Sequence, residues 1–224
     1  MAATTMSKET IAHTKLGGSQ TLGDADLTGC TFKGGTLAQY EDPAFGLRVH
    51  DVTLRDCRTA PFVLHGIEFR NIAVDRLTCG ARLTPRACVF QHVTLSGAMP
   101  DLMLMPAHSS LSAEVQEAFA AGAEHYYKDV DWALDISQGT FKDAEFSGVP
   151  GHLVKRDPAT QFLLHRSSAE HADTEGLSDR ARSYLAKARK HRFDSIVIVA
   201  PTRSKYFDAV LADLEDLRTR GLAE

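Results

Sequence analysis

Apolar residues return every five positions through much of the first 150 residues. In "GDADLTGCTFKGGTLAQ", beginning at Gly23, the pairs are Ala25 and Leu27, Cys30 and Phe32, and Gly35 and Leu37. Leu22 precedes this register by five, and Phe45 and Leu47 rejoin it after a gap at 38–44. A second run, shifted by two places, holds Val52/Leu54, Cys57/Thr59, Phe62/Leu64, Ile67/Phe69, Ile72/Val74 and Leu77/Cys79. After another gap come Cys88/Phe90 and Val93/Leu95, and a third run holds Leu134/Ile136, Gly139/Phe141 and Ala144/Phe146. An ordinary strand keeps alternating and a helix repeats near 3.6, so neither has this period. A chain that turns a corner every five residues does. Each side is then a very short strand with two residues inward, and four sides stack residues about twenty apart in register.

These units resemble the pentapeptide-repeat family. Ala25-Asp26-Leu27-Thr28-Gly29 matches the family's A-(D/N)-L-x-x unit in full, and most other units match its inward pair. The resemblance covers about 22–95 and 134–149. It implies a right-handed quadrilateral β-helix, here irregular, because Phe62, Ile67 and Ile72 stand where the family prefers small residues. Short strands in a sandwich are the other all-β reading. Stacking makes one further prediction. Arg55 falls opposite Asp75, and Asp56 opposite Arg76, as charge pairs on neighbouring strands.

The rest of the chain follows other rules. "SSLSAEVQEAFAAGAEHYY" predicts a helix at about 110–127, with Ser110 as N-cap and Leu111, Val115, Ala118, Phe119 and Gly122 on one face. It is expected to cover an open flank of the β-helix; a protruding arm for a partner is the alternative. Beyond Pro150, "HLVKRDPATQFLLHR" reads as a hairpin around Asp157-Pro158-Ala159-Thr160. A helical face at Leu177, Ala181, Tyr184, Leu185 and Ala188 follows. "SIVIVAP" is a strand buried on both sides, and Phe207, Val210, Leu211, Leu214 and Leu217 mark a last helix. The predicted organisation is a disordered segment at 1–19, a β-helix with helical insertion at 20–150, and a small α/β part at 151–224.

Composition narrows function without naming it. The chain has 224 residues and a formal net charge of −4. Residues 1–150 carry 12 basic and 18 acidic residues, and residues 151–224 carry 13 and 11. That split supports the boundary more than it supports a nucleic-acid partner. No apolar run has the length of a membrane span, and the N-terminus lacks a signal-peptide core, so a cytoplasmic protein is expected. Cys30, Cys57, Cys79 and Cys88 show no zinc or redox spacing and fall on inward positions, so they read as core.

Two places could carry chemistry. "APTRSKYF" leads from a buried strand into a helix and places Arg203, Ser204 and Lys205 where an anion could bind. It lacks the glycines of a phosphate loop, and a loop capped by Ser204 is the plainer reading. His152 and His165 flank the predicted hairpin and could face each other as a pH-sensitive or metal site. The basic run "KARKHRF" reads as a solvated helix face. No catalytic set has local context, so no cofactor or metal is expected and a non-catalytic protein is favoured. By elimination the function is that of a protein-binding module, in the niche of bacterial immunity proteins and antitoxins, which occlude a partner protein. The family resemblance implies a second function, a DNA mimic that binds DNA gyrase and topoisomerase IV. It also allows a homodimer. A third is an enzyme whose site lies between the β-helix and the α/β part.

Overall fold

The computed structural model describes residues 4–60 and 62–224. The chain is mainly β. Strands β1 (Thr4–Ser7), β2 (Thr10–Leu16), β3 (Thr21–Thr28), β4 (Thr31–Ala38), β5 (Leu47–Thr59), β6 (Phe62–His65), β7 (Ile67–Cys79), β8 (Val89–Ala98) and β9 (Leu102–Leu104) come first. Helix α1 (Ala113–Tyr126) and a 3-10 turn (Tyr127–Asp129) interrupt them. The short strands β10 (Leu134–Asp135), β11 (Gly139–Thr140), β12 (Ala144–Phe146) and β13 (Val154–Lys155) resume the pattern. The chain ends with β14 (Gln161–His165), α2 (Arg166–Glu170), α3 (Asp179–Lys190), β15 (Ser195–Val199) and α4 (Phe207–Thr219).

All pairing from β1 to β13 is parallel, in the order β1-β3-β5-β7-β8-β10-β13. Each strand meets chain about one course of twenty residues further on: Val52 lies against Ile72, and Ile72 against Val93. The predicted stacking distance is therefore the observed register. The gaps in the sequence pattern do not break the ladder. Loop 39–46 lengthens one step, so that Thr21 meets Arg48, and α1 doubles another, so that Val93 meets Leu134. Parallel strands need only a connection that returns to the same edge, and extra chain can loop out at a corner.

The ladder has a recurring backbone signature. Positive φ recurs every five residues at Lys8, His13 and Gly18, at Asp24, Gly29 and Gly34, at Asp51 and Asp56, at Gly66, Asn71 and Arg76, and at Ala87, His92 and Gly97. Left-handed backbone bends the chain sharply, here within β2, β3, β4, β5, β7 and β8 as well as between strands, and Gly, Asn and Asp adopt it most readily. The inward positions between these bends form the core. Cys30, Leu47, Ile67, Val89, Leu134 and Ile136 are buried in one continuous cluster. Cys57 and Cys88 are buried as well, whereas Cys79 is only half-buried, and all four thiols are free. Burial pushes the Cys88 thiol up to about 12, which makes it a packing group rather than a nucleophile.

Three expectations need correction. The segment 1–19 is not disordered where it is described: β1 and β2 pair with β3 and β4, and Met6, Ile11 and Leu16 pack on the core. Residues 1–3 lie outside the described residues. Ser112 rather than Ser110 caps α1, its hydroxyl accepting from the Val115 amide. The hairpin at 152–165 does not form. The turn itself is present, with Asp157 accepting from Ala159 N and Thr160 Oγ1. Its two flanks nevertheless join different sheets: β13 extends the parallel ladder beside β10, and β14 pairs antiparallel with β15. The ladder thus runs a few residues past the boundary placed at 150.

The β14–β15 ribbon is a shared wall. Leu163, Val197 and Val199 belong to the ladder core, while Phe162, Leu164, Ile196 and Ile198 pack with α2, α3 and α4. Alternation along each strand gives the two faces, and burial of both accounts for the unbroken apolar run of β15. Helix α1 covers the ladder's flank through Phe119, Val115, Ala123 and Tyr126; Ala118 is exposed. Phe45 from loop 39–46 meets the rings of Phe119 and Tyr126 at 5.8 and 6.2 Å.

Candidate functional site

The residues singled out in the sequence separate. Arg203 donates from its amide to Phe141 O (2.9 Å) and from Nη1 to Met99 O (2.8 Å), so it fastens the loop after β15 to the ladder. Ser204 does not cap α4. Its Oγ accepts from Tyr206 N within the loop, and α4 begins at Phe207 without a side-chain cap. The Lys205 ammonium lies 4.9 Å above the Tyr206 ring. His152 is exposed, and its backbone amide donates to Ser195 Oγ. His165 Nε2 lies 3.0 Å from a Glu224 carboxylate oxygen. The two histidines do not face each other, because the hairpin that would align them is absent.

Arg203, Ser204 and Lys205 do line one cleft. It measures about 740 Å³ and lies between the β9–β12 edge and the α/β unit, with Lys142, Asp101 and Tyr184 on its walls. Four of its eight charged side chains are already matched. Lys187 pairs with Glu145 (2.9 Å), Arg180 with Asp213 (2.7 Å), and Asp143 with Arg82 (3.1 Å). Burial and the nearby carboxylates of Asp213 and Asp143 raise the Tyr184 hydroxyl, with Arg180 opposing. The basic run of the sequence is absorbed in the same way. Arg192 holds Glu117 through two hydrogen bonds and also holds Glu124, joining α1 to the α/β unit. Arg189 donates to Ala169 O.

A second concavity escaped sequence reasoning. A groove of about 490 Å³ is lined by Tyr40, Phe62, Val63, Leu64, His65, Thr84, Arg86, His108, Ser110 and Leu111. Two of the four exposed large hydrophobics among the described residues stand in it, Tyr40 at 43% and Val63 at 49%. Its deepest polar group is His65, 2% exposed. The Tyr40 ring lies across its imidazole at 4.4 Å, and Phe119 meets it edge-on at 5.1 Å. His65 Nδ1 sits 2.8 Å from Gln39 O. A carbonyl only accepts, so Nδ1 carries the proton and Nε2 of the neutral ring is an acceptor. That Nε2 is sealed from solvent and has no hydrogen-bond partner. Burial, Arg86 and His108 hold the His65 pKa below its ordinary value, against the pull of the Gln39 carbonyl.

The ladder places these groups. His65 and Arg86 are register neighbours, and Arg86 adjoins Met105 on the next course. Gln39 supports the corner: its Nε2 donates to Asp42 O and Gly66 O, and its Oε1 accepts from Asp42 N. The available signal was the isolated Tyr40-Glu41 at the edge of a gap and an outward Val63 between two inward residues. Neither departs from ordinary surface composition.

Among the described residues no group of three or more His, Cys, Asp or Glu side chains converges as a metal site. No helix among the described residues is long and apolar enough to cross a membrane. No family model matches the chain, and no curated protein or solved structure matches it.

Proposed function

We propose that the chain is a non-catalytic protein-binding module that works by occluding a partner, as a bacterial immunity protein or antitoxin does. The observation that carries this reading is the clustering of Tyr40 and Val63 in one groove. Large exposed hydrophobics gathered in one concavity mark an interaction surface, whereas scattered ones need no explanation. The frame behind the groove is a right-handed, four-sided β-helix of pentapeptide-like units. The course of about twenty residues and the positive-φ corners five apart support that frame.

The cleft beside Arg203 favours an enzyme less, since Asp143, Glu145, Arg180 and Lys187 are held in ion pairs and Arg203 is held by the Met99 carbonyl. The DNA-mimic reading is weakened by charge pairing along the ladder. Arg76 bridges Asp56 (2.6 Å) and Asp75 (2.8 Å), and Arg48 bridges Glu68 (2.9 Å). An acidic field cannot build up on such a face.

The test is affinity capture from cells that naturally make the chain, with wild type and Val63→Glu compared at equal thermal stability. A protein retained by wild type and lost by Val63→Glu is the expected outcome. Equal retention by both would remove the groove from the reading.

A further inference from the structure

We propose that the groove is the anchor pocket for a tyrosine carried on an acidic segment of the partner protein. The inference rests on the protein-binding reading above and adds the partner's chemistry.

His65 Nε2 is an acceptor withdrawn from water and left unmatched. An unmatched buried acceptor is destabilising, and an arriving donor removes that cost. The donor must come at the end of an apolar body, because Phe62, Val63, Leu64 and Leu111 form the walls. A phenol has that form, a ring with a hydroxyl at its tip. Tyr40 already occupies a comparable position over the imidazole, with 43% of its surface exposed. Its ring is a cover that a rotamer change removes, and exposed rotamers change in picoseconds to nanoseconds.

The flanks of the incoming segment follow from the remaining groups. Arg86 lines the groove, and among the described residues its only side-chain hydrogen bond is a long one (3.5 Å) to Pro106 O. His108 is exposed. Its Nδ1 accepts from Ser110 N (3.1 Å), so its Nε2 carries the proton and offers a donor. Among the described residues no carboxylate lines the groove. A cation and a donor without a counter-charge fit carboxylates beside the tyrosine.

The experiment uses the full chain and three nine-residue peptides. One has a central tyrosine among glutamates, one has phenylalanine in its place, and one has the tyrosine among lysines. Binding is followed at pH 7.5 by calorimetry and by the ¹⁵N resonance of His65 Nε2. The tyrosine–glutamate peptide should bind and shift that resonance. The phenylalanine peptide should bind about tenfold more weakly, the size of one lost buried hydrogen bond, and the lysine peptide should also bind more weakly, because its charges repel Arg86. His65→Phe should erase the preference for tyrosine over phenylalanine. Should that variant fail to fold, the wild-type resonance decides alone. Equal binding of tyrosine and phenylalanine peptides, or an unmoved Nε2 resonance, would overturn the assignment. If Val63→Glu still loses the captured partner in that case, the protein-binding reading stands and only the tyrosine is removed.

Discussion

The parallel ladder and the α/β unit solve the same problem in opposite ways. In the ladder, each course repeats the previous one, and a residue's main neighbours are its equivalents one course away, as with Leu47, Ile67 and Val49, Phe69. In the α/β unit no position repeats. Phe162, Leu164, Ile196 and Ile198 on the ribbon meet Ala169, Leu185 and Leu214 from three different helices. The repeating region can therefore lengthen locally, at 39–46 and at α1, without losing register. The aperiodic region has no such freedom, because each side chain fits one set of neighbours. Function would be expected where the ladder carries its extra chain, and the Tyr40 groove lies there.

The largest test of this contrast is Phe162→Ala. The ring is fully buried against three helices and also carries Arg218 at 3.9 Å. Chemical denaturation should show a loss of about 3–5 kcal/mol. Phe69→Ala, at a half-buried ladder position, should cost clearly less. Similar losses would show that the ladder is as intolerant as the helical unit.

Next comes Gly122→Ala on α1. A Cβ there would lie 2.2 Å from Pro43 O, so loop 39–46 must move away, at about 1–3 kcal/mol. Hydrogen exchange should accelerate in loop 39–46 while the amides of the β5–β7 pairing stay protected. Loss of protection across both strands would mean that the insertion supports the register rather than riding on it.

A third test uses one histidine from each region. Burial lowers the pKa of His65 in the ladder and of His191 beside the α/β unit below 6.5. The unfolded chain then binds more protons below that value. Stability is full above pH 6.5 and falls as the pH drops towards the folded values, by about 1.4 kcal/mol per pH unit for each histidine. Denaturation midpoints from pH 7.5 to 5 should show this slope. His65→Phe and His191→Phe should each remove part of it. An unchanged slope in both would place the acid sensitivity elsewhere.

The smallest effect is that of Arg192→Ala, which releases Glu117 and Glu124 on α1. The network is largely exposed, so the stability change should stay below about 1 kcal/mol. Exchange from α1 should still quicken, and raised salt should mimic the variant. No change in exchange would mean that Phe119 and Phe45 alone hold the helix.

The sequence made the ladder's interior legible because burial selects the residue types at fixed spacing. It also placed the Asp56–Arg76 pair correctly. Arg55 does align with Asp75, but its guanidinium sits 3.8 Å from Asp26 while Asp75 turns to Arg76. Side chains at a register position choose among several partners, which spacing cannot resolve. β1 and β2 were missed although Met6, Ile11 and Leu16 keep the five-residue step. Only one inward apolar residue marks each of those units, and half of the signal is absent. The corners were hidden in a different way. Gly, Asp and Asn hold many of them, but Lys8, His13, Arg76, Ala87 and His92 hold the rest, and those residue types announce no turn. Of the groove, only Tyr40 and Val63 could have been noticed. The orphaned Nε2 depends on where Gln39 O and Tyr40 lie in space.

The corners bear on handedness at the level of single residues. Left-handed backbone costs an L-residue roughly 1–2 kcal/mol, and it is the ordinary backbone of a D-residue. At Arg76 or Ala87, inverting one stereocentre would relieve the main chain where every neighbouring position would be broken by the same change. A chemically synthesised chain could thus exchange chirality at these corners and nowhere between them, tracing the edges of the ladder in mirror-image amino acids.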